Sequence, residues 1–125
     1  MTGRAVLLAA DAHLDVLEAS IDALRGAGKL ALAALKVSHH GSKHNTTTLL
    51  LKKLACKTYL VSTNGSQFGH PDDNAIARII RDGRAEMLIF NYRTEKTKKW
   101  DRKSLKDQHG YDVAFGDDGW IEVSI

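Results

Sequence analysis

The segment "KVSHHGSKH" at residues 36–44 holds three of the chain's six histidines, two of them adjacent at His39 and His40. Imidazole is the commonest metal ligand in proteins and titrates near neutrality, so this spacing indicates a chemical site. The glycine between them and Ser42 permits a sharp turn, while Ser42 and Lys43 add a hydroxyl and a cation that suit an anionic substrate. The alternative interpretation is a solvated turn with one packed ring, and composition alone leaves both open.

Hydrophobic periodicity predicts the elements that position this cluster. Short apolar runs alternate with helical patterns, which is typical of an α/β fold whose strands are joined by helical crossovers. Reactive groups in open α/β sheets collect beyond the carboxyl ends of strands, and the cluster follows the second predicted strand. Its position therefore favours a functional site. Strands are predicted over residues 4–10, 30–37, 57–63 and 85–92, and a closing hairpin with its turn at 116–119 is predicted over residues 111–125.

Helix signals separate these strands. The first helix is predicted to begin near Asp15, which is spaced from Glu18 as in a capping box, and to end at Gly26. A short second helix is predicted after the cluster, with Asn45 or Thr46 as its N-cap. The apolar residues assigned to this second helix are Leu50, Leu51 and Leu54.

The third helix has the strongest start signal. Pro71 suits the first helical position, and Asp72 and Asp73 lie at the positive end of the helix dipole. Gly83 is predicted to end the helix. Its core-facing residues are predicted to be Ile76, Ile79 and Ile80.

Composition places the chain in a broad class. Its 125 residues, with 43% hydrophobic and 26% charged side chains, predict one globular domain over residues 1–125. The single cysteine, Cys56, cannot form an intrachain disulfide and lies in an apolar segment, so we expect a reducing compartment and a cytoplasmic protein. No stretch approaches the ~20 apolar residues that span a bilayer, so no membrane contact is expected from this segment. The formal charge of +3 favours acidic partners without requiring them.

Three motifs occur in order along the chain: "AADA" at residues 9–12, "HHGS" at 39–42 and "GHP" at 69–71. Together they resemble the C-terminal half of the metallo-β-lactamase superfamily, particularly the branch with the hydrolase domain of bacterial DNA-uptake channel proteins. In that branch, strands ending in Gly-Asp-Ala, His-His-Gly-Ser and Gly-His-Pro follow one another. The resemblance covers about residues 5–92. It implies half of an αββα sandwich, with a mixed sheet, flanking helices and a C-terminal hairpin.

The resemblance also implies roles for single residues. The family's bridging aspartate falls on Asp11, and its late histidine ligand falls on the histidine pair, where His39 is favoured as ligand and His40 as its neighbour. A carboxylate and an imidazole of this kind hold zinc or manganese, and a bound water becomes the nucleophile. The plainer alternatives are a turn cap for Asp11 and a helix-start residue for His70. The residues expected near the substrate are Ser42, Lys43 and His70.

One departure from the family limits this interpretation. The His-x-His-x-Asp-His signature, which supplies most ligands of the first metal, is absent from the sequence. Asp11 and one histidine of the pair are two matched ligands, fewer than the three or four of a stable zinc site, although His13 and His44 could add donors. We therefore expect two ions in a complete site and weak metal binding by the chain alone. The expected partner is an N-terminal half-domain or a second copy of the chain.

Three functions of different classes remain open. The leading interpretation is the C-terminal part of a metal-dependent hydrolase that acts on nucleic acid or another phosphodiester. The second is a metal-free half-domain that serves as a protein-interaction module. The third is nucleic-acid binding through residues 93–106, whose seven basic and two acidic residues give a net charge of +5, with Tyr92 and Trp100 available for stacking. The alternative for this basic segment is a solvated surface loop.

Overall fold

The computed structural model describes residues 6–8, 14–26, 28–37, 47–62 and 73–116, and within them it contains seven strands and five helices. The predicted α/β class is confirmed. The strands are β1 (Val6–Leu8), β2 (Leu30–Ala31), β3 (Ala34–Lys36), β4 (Leu54–Ala55), β5 (Thr58–Val61), β6 (Met87–Phe90) and β7 (Asp112–Phe115). The helices are α1 (Leu14–Arg25), α2 (Thr48–Lys52), α3 (Asp73–Arg81), α4 (Glu95–Lys98) and α5 (Lys103–His109).

The main sheet has five strands in the order β1-β3-β5-β6-β7, and β2 and β4 form a small second sheet. Every strand pair in the described part of the chain is parallel. A mixed sheet requires an antiparallel pair, and β7, predicted as the first arm of a hairpin, instead pairs in parallel with β6. The second arm of that hairpin, within residues 117–125, lies outside the described residues.

Alternation along the strands assigns one face of the sheet to the core. Leu35, Tyr59, Leu88 and Phe90 are at most 3% exposed and pack with the helices. On α3, the predicted spacing is confirmed, because Ile76, Ile79 and Ile80 are all buried. The helices contribute Ile21, Leu50, Leu51, Ile76, Ile79 and Ile80 to this cluster.

The opposite face is also partly apolar. Alternation places Leu60, Ile89 and Ala114 there, and the strand register aligns them in one row that continues to Lys36. Ile89 is 8% exposed, while Leu60 and Ala114 are half-buried. None of the three belongs to the cluster that packs against the helices. We call these three residues the second-face row.

Several helix boundaries differ from the predictions. Helix α1 ends at Arg25 before Gly26, which has a φ of +64°, as predicted, but it begins at Leu14, so Asp15 lies inside the helix and is not its N-cap. The N-cap of α2 is Thr47, whose hydroxyl accepts the Leu50 N–H at 3.2 Å. Four cap-competent residues, at positions 45–48, are adjacent here, and the sequence could not select among them.

Two other predicted segments divide differently. The single strand expected over residues 30–37 is β2 and β3, separated at 32–33, because Leu30 pairs with Leu54 of β4. Leu54 was therefore wrongly assigned to α2. Cys56, which follows β4, is 5% exposed, as its apolar surroundings predicted. No helix in the described ranges is long and apolar enough to cross a bilayer.

Candidate functional site at the carboxyl edge of the sheet

The site residues predicted from the sequence all lie in segments outside the described residues. The structure describes the strands that precede these segments, and those strands are β1, β3 and β5. The predicted catalytic, metal-binding and substrate-binding residues concerned are Asp11, His39, His40, Ser42, Lys43 and His70, together with the additional donors His13 and His44.

The strands β1, β3 and β5 are adjacent and parallel. Leu8 is in register with Lys36, and Lys36 with Leu60, so the three strands end at the same edge of the sheet. We call this the carboxyl edge. Along the sequence, each of these three strands is followed by one of the segments outside the described residues, at 9–13, 38–46 and 63–72. These are the segments that carry the "AADA", "HHGS" and "GHP" motifs.

Backbone hydrogen bonds hold the described part of this edge. The Val37 N–H donates to the Leu60 carbonyl at 2.9 Å, and the Asn91 N–H donates to the Val61 carbonyl at 3.2 Å. The Asn91 amide also donates to the Ser62 hydroxyl at 3.1 Å. These hydrogen bonds connect the end of β3 to that of β5, and the end of β5 to that of β6.

A buried threonine shapes the loop that follows β6. Thr97 is fully buried, and its hydroxyl accepts the Thr94 N–H at 2.8 Å and donates to the Tyr92 carbonyl at 2.9 Å. A hydroxyl can accept and donate at once, so this one side chain satisfies two backbone groups of the loop. This role could not be predicted from the sequence, because an isolated threonine in a basic segment matches no motif.

The same loop presents a cation at the carboxyl edge. The Arg93 guanidinium carbon lies 4.8 Å from the centroid of the Phe115 ring, and one guanidinium nitrogen is 4.0 Å from the Asp101 carboxylate. Phe115 stacks on Phe90 with centroids 5.8 Å apart. Arg93 remains 61% exposed, so its charge can act on an anion approaching this edge.

The basic segment of residues 93–106 lies between β6 and β7 and contains two helices, α4 and α5. It is therefore not the irregular loop of the alternative interpretation. Trp100 is half-buried against the core cluster, which leaves only part of its ring exposed for stacking on bases. Most of the segment's cations have carboxylate partners, which reduces its net attraction for polyanions. The pairs are Lys98–Glu95, Lys99–Asp73, Lys103–Asp107, Lys106–Asp101 and Arg93–Asp101.

Histidine, cysteine and acidic side chains are scattered over the described ranges. No group of three or more histidine, cysteine or acidic side chains in those ranges could hold an ion. The donor types of Asp11 and His39 suit zinc or manganese, but two donors do not complete a site. Any complete metal centre therefore needs ligands beyond this matched pair.

Comparison with protein-family models, with curated proteins and with solved structures found no match for the chain. The fold class rests on the structure itself, which is a parallel α/β sheet with crossover helices. The resemblance to the metallo-β-lactamase superfamily rests on the three sequence motifs alone.

Proposed function

We propose that this chain is the C-terminal part of a metal-dependent hydrolase of the metallo-β-lactamase superfamily, with its site at the carboxyl edge. The observation that carries the proposal is the parallel adjacency of β1, β3 and β5. Asp11, His39 and His70, which span 59 positions of the sequence, each follow one of these neighbouring strands. Sheets of this kind bind their ligands beyond the carboxyl ends of the strands.

In this proposal Asp11 and His39 would hold the metal, with His40 as a neighbour of His39. Bound zinc or manganese supplies a Lewis acid and lowers the pKa of water. The remaining ligands come from an N-terminal half-domain that carries the missing histidine signature. Ser42, Lys43 and His70 contact the substrate.

The second-face row supports a partner of this kind. Leu60, Ile89 and Ala114 form an apolar row on the sheet face opposite the described helix-packed cluster, where Leu60 and Ala114 are half-buried and Ile89 is already buried within the chain. A sandwich needs an apolar inner face on each of its two sheets. An N-terminal half-domain would cover the row, and self-association of the chain through the same row is the alternative.

A phosphodiester, with nucleic acid first, is the leading substrate class. Arg93 contributes an exposed cation at the carboxyl edge, and Lys43 adds a second cation in the adjacent histidine segment. Both favour a substrate with repeated negative charges. The chain's net charge of +3 acts in the same direction.

The second candidate function is a catalytically incomplete half-domain that binds protein or nucleic acid. The shortage of matched metal ligands favours it. The ion pairs of residues 93–106 weigh against nucleic acid as its partner, because paired lysines release fewer counterions from phosphates. Between the two module types, the second-face row favours protein interaction.

The experiment combines the chain with the superfamily's N-terminal half, encoded upstream or supplied as a separate chain. Hydrolysis of bis(4-nitrophenyl) phosphate is measured with manganese, and Asp11→Ala and His39→Ala should each abolish it. His109→Ala is the matched control, because this exposed histidine ends α5 just before β7 begins, at the opposite end of the strands from the carboxyl edge. If His40→Ala abolishes activity and His39→Ala does not, His40 is the metal ligand and His39 its neighbour. Full activity in Asp11→Ala and in both histidine variants would refute the proposal.

A further inference from the structure

A second cleft lies at the opposite end of the strands. Its volume is about 660 Å³, which is within the range of small-molecule sites. Three connections line it: the chain entering β3, the chain between β4 and β5, and the chain between α3 and β6. These connections precede the strands, so the cleft is at the amino edge of the sheet. We call it the amino-edge cleft.

Part of the lining is apolar. Leu32, Leu54 and Cys56 line the cleft, and Leu54 and Cys56 are 4% and 5% exposed. The Cys56 thiol donates to the Thr58 carbonyl at 3.2 Å, and burial raises the pKa of this thiol, so it carries no charge at neutral pH. This surface therefore suits an uncharged, apolar part of a ligand.

The adjoining lobe, about 320 Å³ in volume, is strongly cationic. Lys29, Lys52, Arg81 and Arg84 line it with one carboxylate, Asp82, so four positive charges face one negative charge. Asp82 is already engaged, because it accepts hydrogen bonds from Arg81 at 3.1 Å and from the Thr48 hydroxyl at 2.7 Å. The other three cations have no ion-pair or hydrogen-bond partner within the described ranges. They are Lys29, Lys52 and Arg84.

Arg84 takes an unusual backbone conformation to reach this position. Its φ of +51° lies in the left-handed region, which glycine and asparagine adopt with less strain. The helix dipole of α3 favours cations near its carboxyl terminus, which accounts for Arg81. Lys52 likewise lies in the last turn of α2, whereas Lys29 belongs to no helix and faces the same lobe. An arginine at a strained position in a cationic lobe points to a bound anion.

We propose that the amino-edge cleft binds a phosphate monoester that carries an apolar organic group. Lys29, Lys52 and Arg84 hold the dianionic phosphate, whose oxygens accept several charge-assisted hydrogen bonds. The apolar group lies against Leu32, Leu54 and Cys56. This site is separate from the proposed hydrolase site and uses none of its residues.

The test is calorimetric titration with three probes: hexyl phosphate, inorganic phosphate and hexanol. Hexyl phosphate should bind several-fold more tightly than inorganic phosphate, and hexanol should not bind. Arg84→Gly should weaken hexyl phosphate binding about tenfold or more, since it removes a charged donor. The same variant should raise the melting temperature, because glycine relieves the left-handed strain.

Two further variants keep the proposal open to refutation. Asp82→Asn should tighten binding, because it removes the negative charge of the lobe while its amide oxygen still accepts from Thr48. Arg102→Gln, an equal loss of charge at an exposed residue outside the cleft, should leave binding unchanged. Failure of hexyl phosphate to saturate the chain at millimolar concentration would overturn the proposal, as would equal weakening by Arg84→Gly and Arg102→Gln.

A co-sedimentation experiment distinguishes a soluble phosphate monoester from a phospholipid as the ligand. Vesicles of phosphatidylcholine with and without phosphatidic acid are mixed with the chain and sedimented. Co-sedimentation that requires phosphatidic acid and is lost in Arg84→Gly supports the site with a lipid as its ligand. Hexyl phosphate binding without co-sedimentation supports it with a soluble ligand.

Discussion

The two edges of the five-stranded sheet carry opposite chemistry. The carboxyl edge precedes segments with a carboxylate and imidazoles, which are donors for cations, whereas the amino-edge cleft gathers Lys29, Lys52 and Arg84, which bind anions. The edges are separated by the length of β5, about 13 Å for four residues. A change at one edge can therefore be made without touching the other, and each site can be tested separately.

The largest expected effect is at Gly83 on the amino edge. A Cβ there would lie 2.7 Å from the Ile79 carbonyl oxygen and 2.8 Å from the Tyr59 hydroxyl, which itself donates to the Gly83 carbonyl at 3.1 Å. Gly83→Ala should lower the free energy of unfolding by about 2–3 kcal/mol, measured by urea denaturation. Gly28→Ala is the control, because no atom lies within 4 Å of its added Cβ. Equal stability of the two variants would show that the turn at Gly83 is looser than described.

The matching change at the carboxyl edge is Thr97→Val. Valine keeps the shape of the side chain but leaves the Thr94 N–H and the Tyr92 carbonyl without the hydrogen bonds that Thr97 provides. The free energy of unfolding should therefore fall by about 1–2 kcal/mol. Thr97→Ser should retain most of the stability. The prediction fails if valine and serine behave alike in urea. Loss of this loop would also displace Arg93 from the edge without affecting phosphate binding in the amino-edge cleft.

A smaller decrease in the stability of the fold is expected at alkaline pH, from buried groups near the amino edge. Burial raises the pKa of both Cys56 and Tyr59, so the folded chain keeps protons that the unfolded chain releases. Stability should therefore fall as the pH rises from about 9, where free thiols ionise, and fall further above about 10. Urea midpoints at pH 8, 9 and 10 measure this. Cys56→Ala should remove the first part of the decline, and a midpoint that is constant or rises with pH would contradict the assignment.

The sequence predicted those parts of the fold that depend on local apolar patterns. Helix α3 was predicted from the spacing of its isoleucines at 76, 79 and 80, and strands β5 and β6 were predicted from their apolar runs. Helices α4 and α5 were missed, because their charged residues show no apolar period and their packing relies on Trp100 and Leu105. The division of residues 30–37 was missed because it depends on pairing with β4, which is distant in sequence.

The two edges also differ in how far their residues could be predicted from the sequence. The candidate residues of the carboxyl edge stand in contiguous motifs, so the sequence alone names them, and the strand order adds that their segments follow neighbouring strands. The cations of the amino-edge cleft are spread from Lys29 to Arg84 and form no motif. Only the fold assembles them, through connections that precede different strands. A charge count over the whole chain cannot distinguish such a cluster from ordinary surface lysines.

The central claim, that the carboxyl edge holds the metal, is tested most directly by paramagnetic broadening. Substoichiometric manganese is added to the ¹⁵N-labelled chain, and amide signals are followed in native buffer, where even weak binding broadens nearby resonances. Broadening is expected for Val37 and Ser62 at the carboxyl edge but not for Cys56 or Gly83 at the amino edge. This broadening should disappear when Asp11→Ala and His39→Ala are combined. Broadening at the amino edge, or broadening that persists in that double variant, would contradict the claim.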